Sequence, residues 1–454
     1  MSSVAVILAA GNGKRMKSKL PKVLHPVIGE PMVLHVVEAL KGAGIEKIIA
    51  VLGYGAGQVE EVLQGQADFV YQNEQLGTGH ALLQALPKLM EYGGGECLVV
   101  CGDTPLLAGE TLVQLRQEHL DKNAKATILT AMMEDPTGYG RIVKEKGRVV
   151  SIIEEKDAPP EVLCLKEINT GAYCFDIEWL KNGLNQLKPV NAQGEYYLTD
   201  VISYLVSEKQ MVATWTVQDP FEAMGVNNRV QLAEAHARLK RQILREHMLN
   251  GVTIVDPAST FIGPWVEIAQ DVVLEPGVIL EGKTIIEEDC TIGPWTRITD
   301  CRIGRGTQVR QSILSESSTG EECQIGPYSY MRPGCILESN VKVGGFVEVK
   351  KSHVDQGAKI PHLSYVGDSQ VGKNVNIGAG TITCNYDGKN KYPTIFEDHC
   401  FVGSNTNLVA PVIIGEGAYI GAGSTITMDV PPAALAIARG RQRNIENWRK
   451  DKES

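Results

Sequence analysis

Residues 262–298 read IGPWVEIAQDVVLEPGVILEGKTIIEEDCTIGPWTRI. Ile262, Ile268, Leu274, Leu280, Ile286, Ile292 and Ile298 stand six residues apart. The spacing returns at Ile325, Met331, Leu337, Val343 and Val349, and again at Val402, Leu408, Ile414, Ile420 and Ile426. A small or polar residue usually follows the aliphatic one. Such a hexapeptide repeat predicts a parallel β-helix. One aliphatic side chain per short strand points inward and stacks on its neighbours, and small residues permit the tight corners. The repeat breaks over residues 312–323 and 383–393. Both breaks predict loops ejected from a rigid scaffold, where function often resides.

Upstream, the pattern is different. Residues 4–10 are an apolar run ending in Gly11-Asn12-Gly13. A helical pattern over 31–40 stops at Gly42 and Gly44, and KIIAVL at 47–52 reads as a strand. Residues 78–90 read as a helix, and CLVVC at 97–101 as a strand running into Gly102-Asp103. This alternation predicts an α/β domain with a doubly wound, Rossmann-like sheet. Ligands of such a sheet sit beyond the carboxyl ends of its strands. Gly11–Gly13 and Asp103 both fall on that edge. Val230, Ala233, Ala237, Leu244 and Met248 then recur at helical spacing until Gly251 stops them. The expected organisation is therefore 1–228 α/β, 229–250 linker helix, and 251–454 left-handed β-helix with a C-terminal tail.

The chain has 454 residues, enough for two or three domains. Apolar residues are 43% and charged residues 22%, which excludes wholesale disorder. The net charge of −10 disfavours bulk nucleic-acid binding. The first apolar run is far short of the roughly 20 residues that span a bilayer. Lys14, Arg15 and Lys17 follow that run, so it does not read as a signal peptide, and no membrane partner is expected. Ten cysteines without a CxxC pair read as reduced thiols of a cytoplasmic protein. The tail from Arg439 holds six basic and three acidic residues. Such a tail is usually just solvated, and an anion-binding role is the alternative.

Leu8-Ala9-Ala10-Gly11-Asn12-Gly13-Lys14-Arg15-Met16, followed by Pro21-Lys22, resembles the sugar-nucleotidyltransferase signature LAAGxGTRM…PK, with Lys14 where Thr is usual. Further motifs follow in that family's order. They are Gln72 with Glu74–His80 (EQLGTGH), Gly138-Tyr139-Gly140-Arg141, Glu154, Asn169-Thr170-Gly171, Glu195–Asp200 (EYYLTD) and Gly225-Val226-Asn227-Asn228. Together with the hexapeptide half, nearly the whole chain resembles the bacterial family of bifunctional N-acetylglucosamine-1-phosphate uridylyltransferases / glucosamine-1-phosphate N-acetyltransferases.

The resemblance implies two chemistries. In the first, a sugar-1-phosphate attacks the α-phosphate of UTP and expels pyrophosphate. Crowded anions require cations and backbone donors. Leu8, Ala9, Ala10, Gly11 and Gly13 would cradle phosphate, with Arg15 and Lys22 supplying positive charge. Asp103 and Asn227 would hold Mg²⁺ or another divalent metal through oxygen. Gln72, Gly77 and Thr78 would read uracil, and Gly140, Glu154 and Asn169 the sugar. Outside the motif, Lys22 would read as an ordinary surface lysine and Asp103 equally well as a helix N-cap. Cys101 stands where Tyr is usual, at a position that reads as packing.

In the second, the amine of glucosamine-1-phosphate attacks acetyl-CoA. It needs a base and donors for the developing oxyanion. His362 lies off the six-residue pattern and matches the proposed proton acceptor of the family, with Glu348 orienting or polarising it. A lone histidine is more often a packed one, so the resemblance carries this reading. Arg332, Lys350, Tyr365 and Asn376 match the sugar-phosphate site. Ala379, Asn385, Tyr386, Ser404, Ala422 and Arg439 match the acetyl-CoA site. The resemblance also implies a homotrimer. Acetyl transfer would come first and uridylyl transfer second, yielding UDP-N-acetylglucosamine. The rival reading keeps only the nucleotidyltransferase and makes the β-helix a scaffold, which would have no use for His362, Glu348 or the Asn385-Tyr386 loop. A third treats the chain as a non-enzymatic assembly protein.

Overall fold

The computed structural model describes residues 3–93, 95–446 and 448–449, so Lys450 and Lys452 of the basic tail lie outside the described residues. The chain divides into two compact units, the first ending at Leu239 and the second starting at Lys240. The division falls inside one continuous helix, Arg229–Leu249.

The first unit is built on a mixed sheet. Its strands are β1 (Ser3–Ala9), β2 (Lys47–Leu52), β3 (Asp68–Tyr71), β4 (Glu96–Cys101), β5 (Ala126–Met132), β6 (Arg141–Glu145), β7 (Arg148–Ile153), β8 (Glu167–Asp176) and β9 (Val212–Thr216). The main order is β9-β5-β8-β4-β1-β2-β3, with the β6–β7 hairpin branching from β8. β1 pairs parallel to β2 and β4, whereas β8 runs antiparallel to β4 and β5.

Successive side chains of a strand face opposite ways. Val4 and Val6 of β1 enter one core, and Ala5, Ile7 and Ala9 enter the other. Both faces are apolar, so both must be covered by helices. Val33, Val36, Val37 and Leu40 of α1 (Met32–Gly42) cover one face, together with Leu112 and Leu115 of α2 (Gly109–Asp121). The other face takes Leu82, Ala85 and Leu89 of α3 (Thr78–Tyr92). This winding leaves the carboxyl ends of β1 and β4 side by side, as the sequence pattern predicts.

The second unit is a left-handed parallel β-helix. Among the described residues its strands form three parallel sheets of eleven, ten and nine members, and every third strand joins the same sheet until the last, Leu435–Ala436, which follows its partner Tyr419–Ile420 after a single intervening strand. Ile262, Leu280, Ile298, Leu314, Met331, Val349 and Val366 stack up one inner face, all but fully buried.

One sequence expectation is corrected here. Residues 312–323 are not an ejected loop. Ile313–Ser315 pairs with Arg297–Thr299, and Ser318–Thr319 pairs with Arg302–Ile303, in unbroken register. The inward residues there are Val309, Leu314 and Thr319, five apart. Gln311 and Glu316 take left-handed φ values of 44° and 42°, two residues after the inward position. At six-residue sides such as those after Ile292 and Ile325, the left-handed residue comes three after it, at Trp295 (φ 56°) and Tyr328 (φ 60°). Moving the corner one residue earlier shortens the side without breaking the stack.

The second break is a true loop. Thr383 and Phe396 are successive inward residues, and the chain between Cys384 and Thr394 is ejected. It closes on itself: Tyr386 bridges Lys391, Tyr392 N donates to Asn385 O at 2.9 Å, and Asp387 accepts from the amides of Lys389 and Asn390.

Candidate active sites

At the carboxyl edge of the mixed sheet, the chain leaves β1 through Ala10-Gly11-Asn12-Gly13. Leu8, Ala9, Ala10, Gly11 and Asn12 line a cavity of about 480 Å³ together with Lys22, Asp103, Gln72, Gly77 and Thr78. Gly13 supports it from behind. Its φ of +57° suits glycine, and a Cβ there would sit 2.6 Å from Lys22 Cβ. Gly13 therefore lets the Lys22 stem pass under the loop.

Three distant segments meet at the Lys22 ammonium. It forms an ion pair with Asp103 and donates to Asn227 Oδ1 at 2.7 Å. Arg15 Nη2 donates to the same Asn227 oxygen at 2.9 Å. Val226 N donates to Asp103 O at 2.9 Å, tying the 225–227 turn to the Asp103 backbone. Asp103 caps no helix, since the next helix starts at Gly109. Two oxygen donors thus converge on one cation. That donor set fits a hard divalent ion, which prefers oxygen.

The base of α3 forms one wall. Gln72 is buried, and its Nε2 lies 3.0 Å from both Gly77 O and His80 Nδ1. Gly77 has φ +107°, and a Cβ there would meet Tyr196 O at 2.6 Å. Tyr196 N donates to Leu76 O, Gly79 N donates to Tyr196 O, and Leu198 N donates to Thr78 Oγ1. The EYYLTD segment therefore clasps the EQLGTGH turn.

An adjoining cavity shares Leu8, Thr78 and Cys101 with the first and adds Gly140, Glu154 and Asn169. A bulge in β8 between Asn169 and Tyr173 turns Asn169 so that its Nδ2 donates to Tyr173 Oη at 2.8 Å. Asn169 N donates to Gly140 O at 2.9 Å. A Cβ on Gly140 would lie 3.3 Å from Glu154 Oε2, so glycine keeps that carboxylate clear. Burial raises the Glu154 carboxyl above its ordinary value, against the hydrogen bond from Thr199. Burial also pushes the Cys101 thiol up to about 12, with Asp103 adding to the effect. That shift favours the neutral thiol, in keeping with a packing position.

On the β-helix, a charged cluster lies on one sheet. Arg332 Nη1 donates to Glu348 Oε1 at 2.9 Å, and Glu348 sits in register beside Tyr365. Lys350 Nζ lies 3.6 Å from Asp368 Oδ2. Asn385, at the root of the ejected loop, donates to the same Asp368 and lies 3.5 Å from Tyr365 Oη. Lys391 of that loop is held below the ordinary lysine value by neighbouring Lys350. Two ammonium groups and a guanidinium thus crowd one patch, which suits a phosphate.

The neighbouring edge has a different character. His362 stands three residues beyond Lys359, which pairs with Asn376 of the next coil; Ala379 stands three beyond Asn376. Asn376 pairs with Phe401 and Phe401 with Tyr419, which places Ser404 and Ala422 at the same position on the following coils. Gly380 N donates to His362 O, Asn405 N to Ala379 O and Gly423 N to Ser404 O, at 3.4, 2.7 and 2.9 Å. Arg439 Nη1 closes the column on Ala422 O at 2.7 Å. His362 is exposed, and its imidazole makes no hydrogen bond among the described residues. Glu348 is engaged by Arg332, and no hydrogen bond joins it to His362 among the described residues. Asn385 and Tyr386 lie off this edge. Asn385 turns in to the charged cluster, and Tyr386 points out and donates to Gly388 O at 2.6 Å.

A nucleotidyl transferase family model matches residues 4–220, and a bacterial transferase hexapeptide (six repeats) model matches residues 393–427. The bifunctional protein GlmU of Geobacillus sp. (strain WCH70) is 54% identical over 445 residues, covering 98% of this chain and 97% of that protein. The bifunctional protein GlmU of Desulfitobacterium hafniense (strain DSM 10664 / DCB-2) is 52% identical over 448 residues, covering 99% and 98%. That of Carboxydothermus hydrogenoformans (strain ATCC BAA-161 / DSM 6008 / Z-2901) is 52% identical over 444 residues, covering 98% and 99%. The chain belongs to the bifunctional GlmU family. As a GlmU family member it is a bifunctional enzyme, with a nucleotidyl transferase unit and a hexapeptide acetyltransferase unit.

Some groups of these clusters escaped the sequence reading. Asp368 and Lys391 belong to the charged cluster but carry no motif. Only the strand register brings Asp368 beside Lys350, and only the loop's closure brings Lys391 there. Glu195 and Gln75 line the first cavity from within the EYYLTD and EQLGTGH motifs, whose pattern gives these two residues no role.

Proposed function

We propose that this chain makes UDP-N-acetylglucosamine in two steps. Acetyl-CoA acetylates glucosamine-1-phosphate on the β-helix, and UTP then activates N-acetylglucosamine-1-phosphate on the mixed sheet. The observation that carries the proposal is the column His362, Ala379, Ser404, Ala422 and Arg439, one per coil on one edge. A passive scaffold has no use for an unpaired imidazole at the head of a cleared edge.

In the first step the amino sugar's phosphate lies on Arg332, Lys350 and Lys391, with Tyr365 and Asn376 along the sugar. Acetyl-CoA lies along Ala379, Ser404 and Ala422, and Arg439 meets one of its phosphates. The amine nitrogen forms a bond to the acetyl carbon and the carbon–sulfur bond breaks. The amine proton passes to an imidazole nitrogen of His362, and the thiolate leaves. Glu348 acts by fixing Arg332, while Asn385 holds Asp368 and the loop that carries Tyr386.

In the second step the sugar phosphate oxygen attacks the α-phosphorus of UTP, and the bond to pyrophosphate breaks. Leu8–Gly11 offer backbone donors, and Arg15 and Lys22 balance charge as it develops. Gln72, Gly77 and Thr78 read uracil, while Gly140, Glu154 and Asn169 hold the sugar. Asp103 and Asn227 would hold Mg²⁺ where Lys22 now reaches; bound there, the ion neutralises phosphate charge.

The chain functions as a homotrimer in the cytoplasm in this reading. Trp295, Tyr328, Phe346 and Leu363 support self-association. All four are more than half exposed and stand at one corner of the coils, with Gln311 at that corner between Trp295 and Tyr328, and with Tyr328 and Phe346 stacked at 5.2 Å. No helix among the described residues is long and apolar enough to cross a membrane. The functional division proposed is 1–228, 229–250 and 251–454.

The decisive experiment follows free thiol released from acetyl-CoA. Release that requires glucosamine-1-phosphate and is lost in His362→Ala supports the reading. No release, with UTP-dependent pyrophosphate production intact, reduces the β-helix to a scaffold.

A further inference from the structure

At the far end of β4 from the cavity, Glu96, His119 and Cys174 form a buried cluster. Each offers one ligand atom, and the three atoms lie within 4.8 Å of one another. Glu96 opens β4, His119 lies in the last turn of α2, and Cys174 is on β8. The five residue steps from Glu96 to Cys101 separate the cluster from the cavity by about 17 Å.

The hydrogen bonds leave donor capacity in the cluster unused. Glu96 Oε1 accepts from Ser3 Oγ at 2.6 Å and from Arg116 Nε. Glu96 Oε2 is buried and has no hydrogen-bond partner among the described residues. His119 Nδ1 lies 3.0 Å from Thr127 Oγ1, and in the tautomer that donates from Nδ1 to this hydroxyl, Nε2 keeps its lone pair for a ligand. Cys174 Sγ makes no hydrogen bond among the described residues. A buried carboxylate oxygen normally finds a donor, and one left bare calls for an explanation. In metal sites, outer partners fix the ligands' orientation and tautomer. Here Ser3, Arg116 and Thr127 already do so.

We propose that Glu96, His119 and Cys174 bind a zinc-like divalent ion that ties α2 to β4 and β8. One sulfur, one nitrogen and one oxygen suit zinc or cobalt, with a fourth, non-protein ligand completing a tetrahedron. Magnesium prefers oxygen alone and is excluded by the thiol. On binding, the Cys174 S–H bond breaks, a metal–sulfur bond forms and the proton leaves to solvent. Arg116 offsets part of the added charge. Its side chain is 30% exposed while touching Glu96, and it marks the way in.

The test uses the full chain, stripped with chelator and titrated with cobalt(II). The expected result is a thiolate-to-cobalt charge-transfer band that saturates at one equivalent and is displaced by zinc. The oxygen-only pair Asp103 and Asn227 gives no such band. Cys174→Ala should remove the band, and Thr127→Val should weaken cobalt binding at least tenfold by freeing the imidazole. Circular dichroism checks that the variants fold. No band in the unmutated protein, or an undiminished band in a folded Cys174→Ala, overturns the proposal.

Discussion

Lys22 and Asn227 are 205 residues apart in sequence, and Lys22 Nζ donates to Asn227 Oδ1 at 2.7 Å. The contact joins the end of the glycine-rich segment to the turn that precedes the long helix. With Asp103 on the same ammonium, it defines one charged point beside the cavity. Replacing Asp103 with Ala removes the anionic half of the donor pair. Uridylyl transfer should fall about 10²–10³-fold, the usual scale for losing a preorganised electrostatic group. Thiol release from acetyl-CoA should be unchanged. Assaying pyrophosphate and thiol on one preparation separates the outcomes, and loss of both activities would break the two-site reading.

Gly13 sets the position of Lys22 by what it lacks. Gly13→Ala places a Cβ where φ is +57° and Lys22 Cβ is 2.6 Å away. The left-handed conformation alone costs roughly 1–2 kcal/mol with a side chain. Lys22 must also shift off Asp103 and Asn227. The expected result is a uridylyl kcat lowered at least tenfold with acetyl transfer intact. A normal kcat would mean that the loop absorbs the methyl group without moving Lys22.

Glu154 gives a pH-dependent prediction of definite sign. Burial raises its carboxyl in the folded chain, so the folded state holds the proton more tightly than the unfolded one. Its ionisation therefore costs stability, and the cost grows as pH rises above the ordinary carboxylate value. It disappears below that value, where both states are protonated. Glu154→Gln should melt higher than the parent at pH 7.5, with the gap closing toward pH 4. The same variant should bind N-acetylglucosamine-1-phosphate more weakly. Parallel calorimetric melts at the two pH values decide the point; a gap that widens at low pH contradicts the burial argument.

Particular residues explain what could be read in advance. Ile262 through Ile298 announce the β-helix because one inward residue per side is all that the stack requires. The five-residue sides at Leu314 and Thr319 escaped because a strict period of six has no place for a corner moved one residue earlier. The alternation of Val4 and Val6 with Ala5, Ile7 and Ala9 is a local fact, so the doubly wound sheet was legible. The reversal of β8 is not local, because strand direction depends on the connections. Asn227 was reachable only through a motif; its proximity to Lys22 is a consequence of chain folding. Asp368 had no signal at all and Lys391 only that of the ejected loop that carries it, since register and loop closure alone bring them to Lys350.

The column from His362 to Arg439 yields a prediction that depends on geometry more than on chemistry. Ala379, Ser404 and Ala422 share one position on three coils, and none is larger than serine. Small side chains there keep a strip of backbone open beside His362. Ser404 is exposed, so a larger residue meets no core, and stability should change by no more than about 0.5 kcal/mol. Ser404→Tyr should nevertheless raise the KM for acetyl-CoA at least tenfold, because the ring would stand where the pantetheine chain has to run. The KM for glucosamine-1-phosphate should stay near the parent value, since Arg332, Lys350 and Lys391 lie on the neighbouring face. If both KM values are unchanged, acetyl-CoA does not use this edge, and His362 has to be reached from another side.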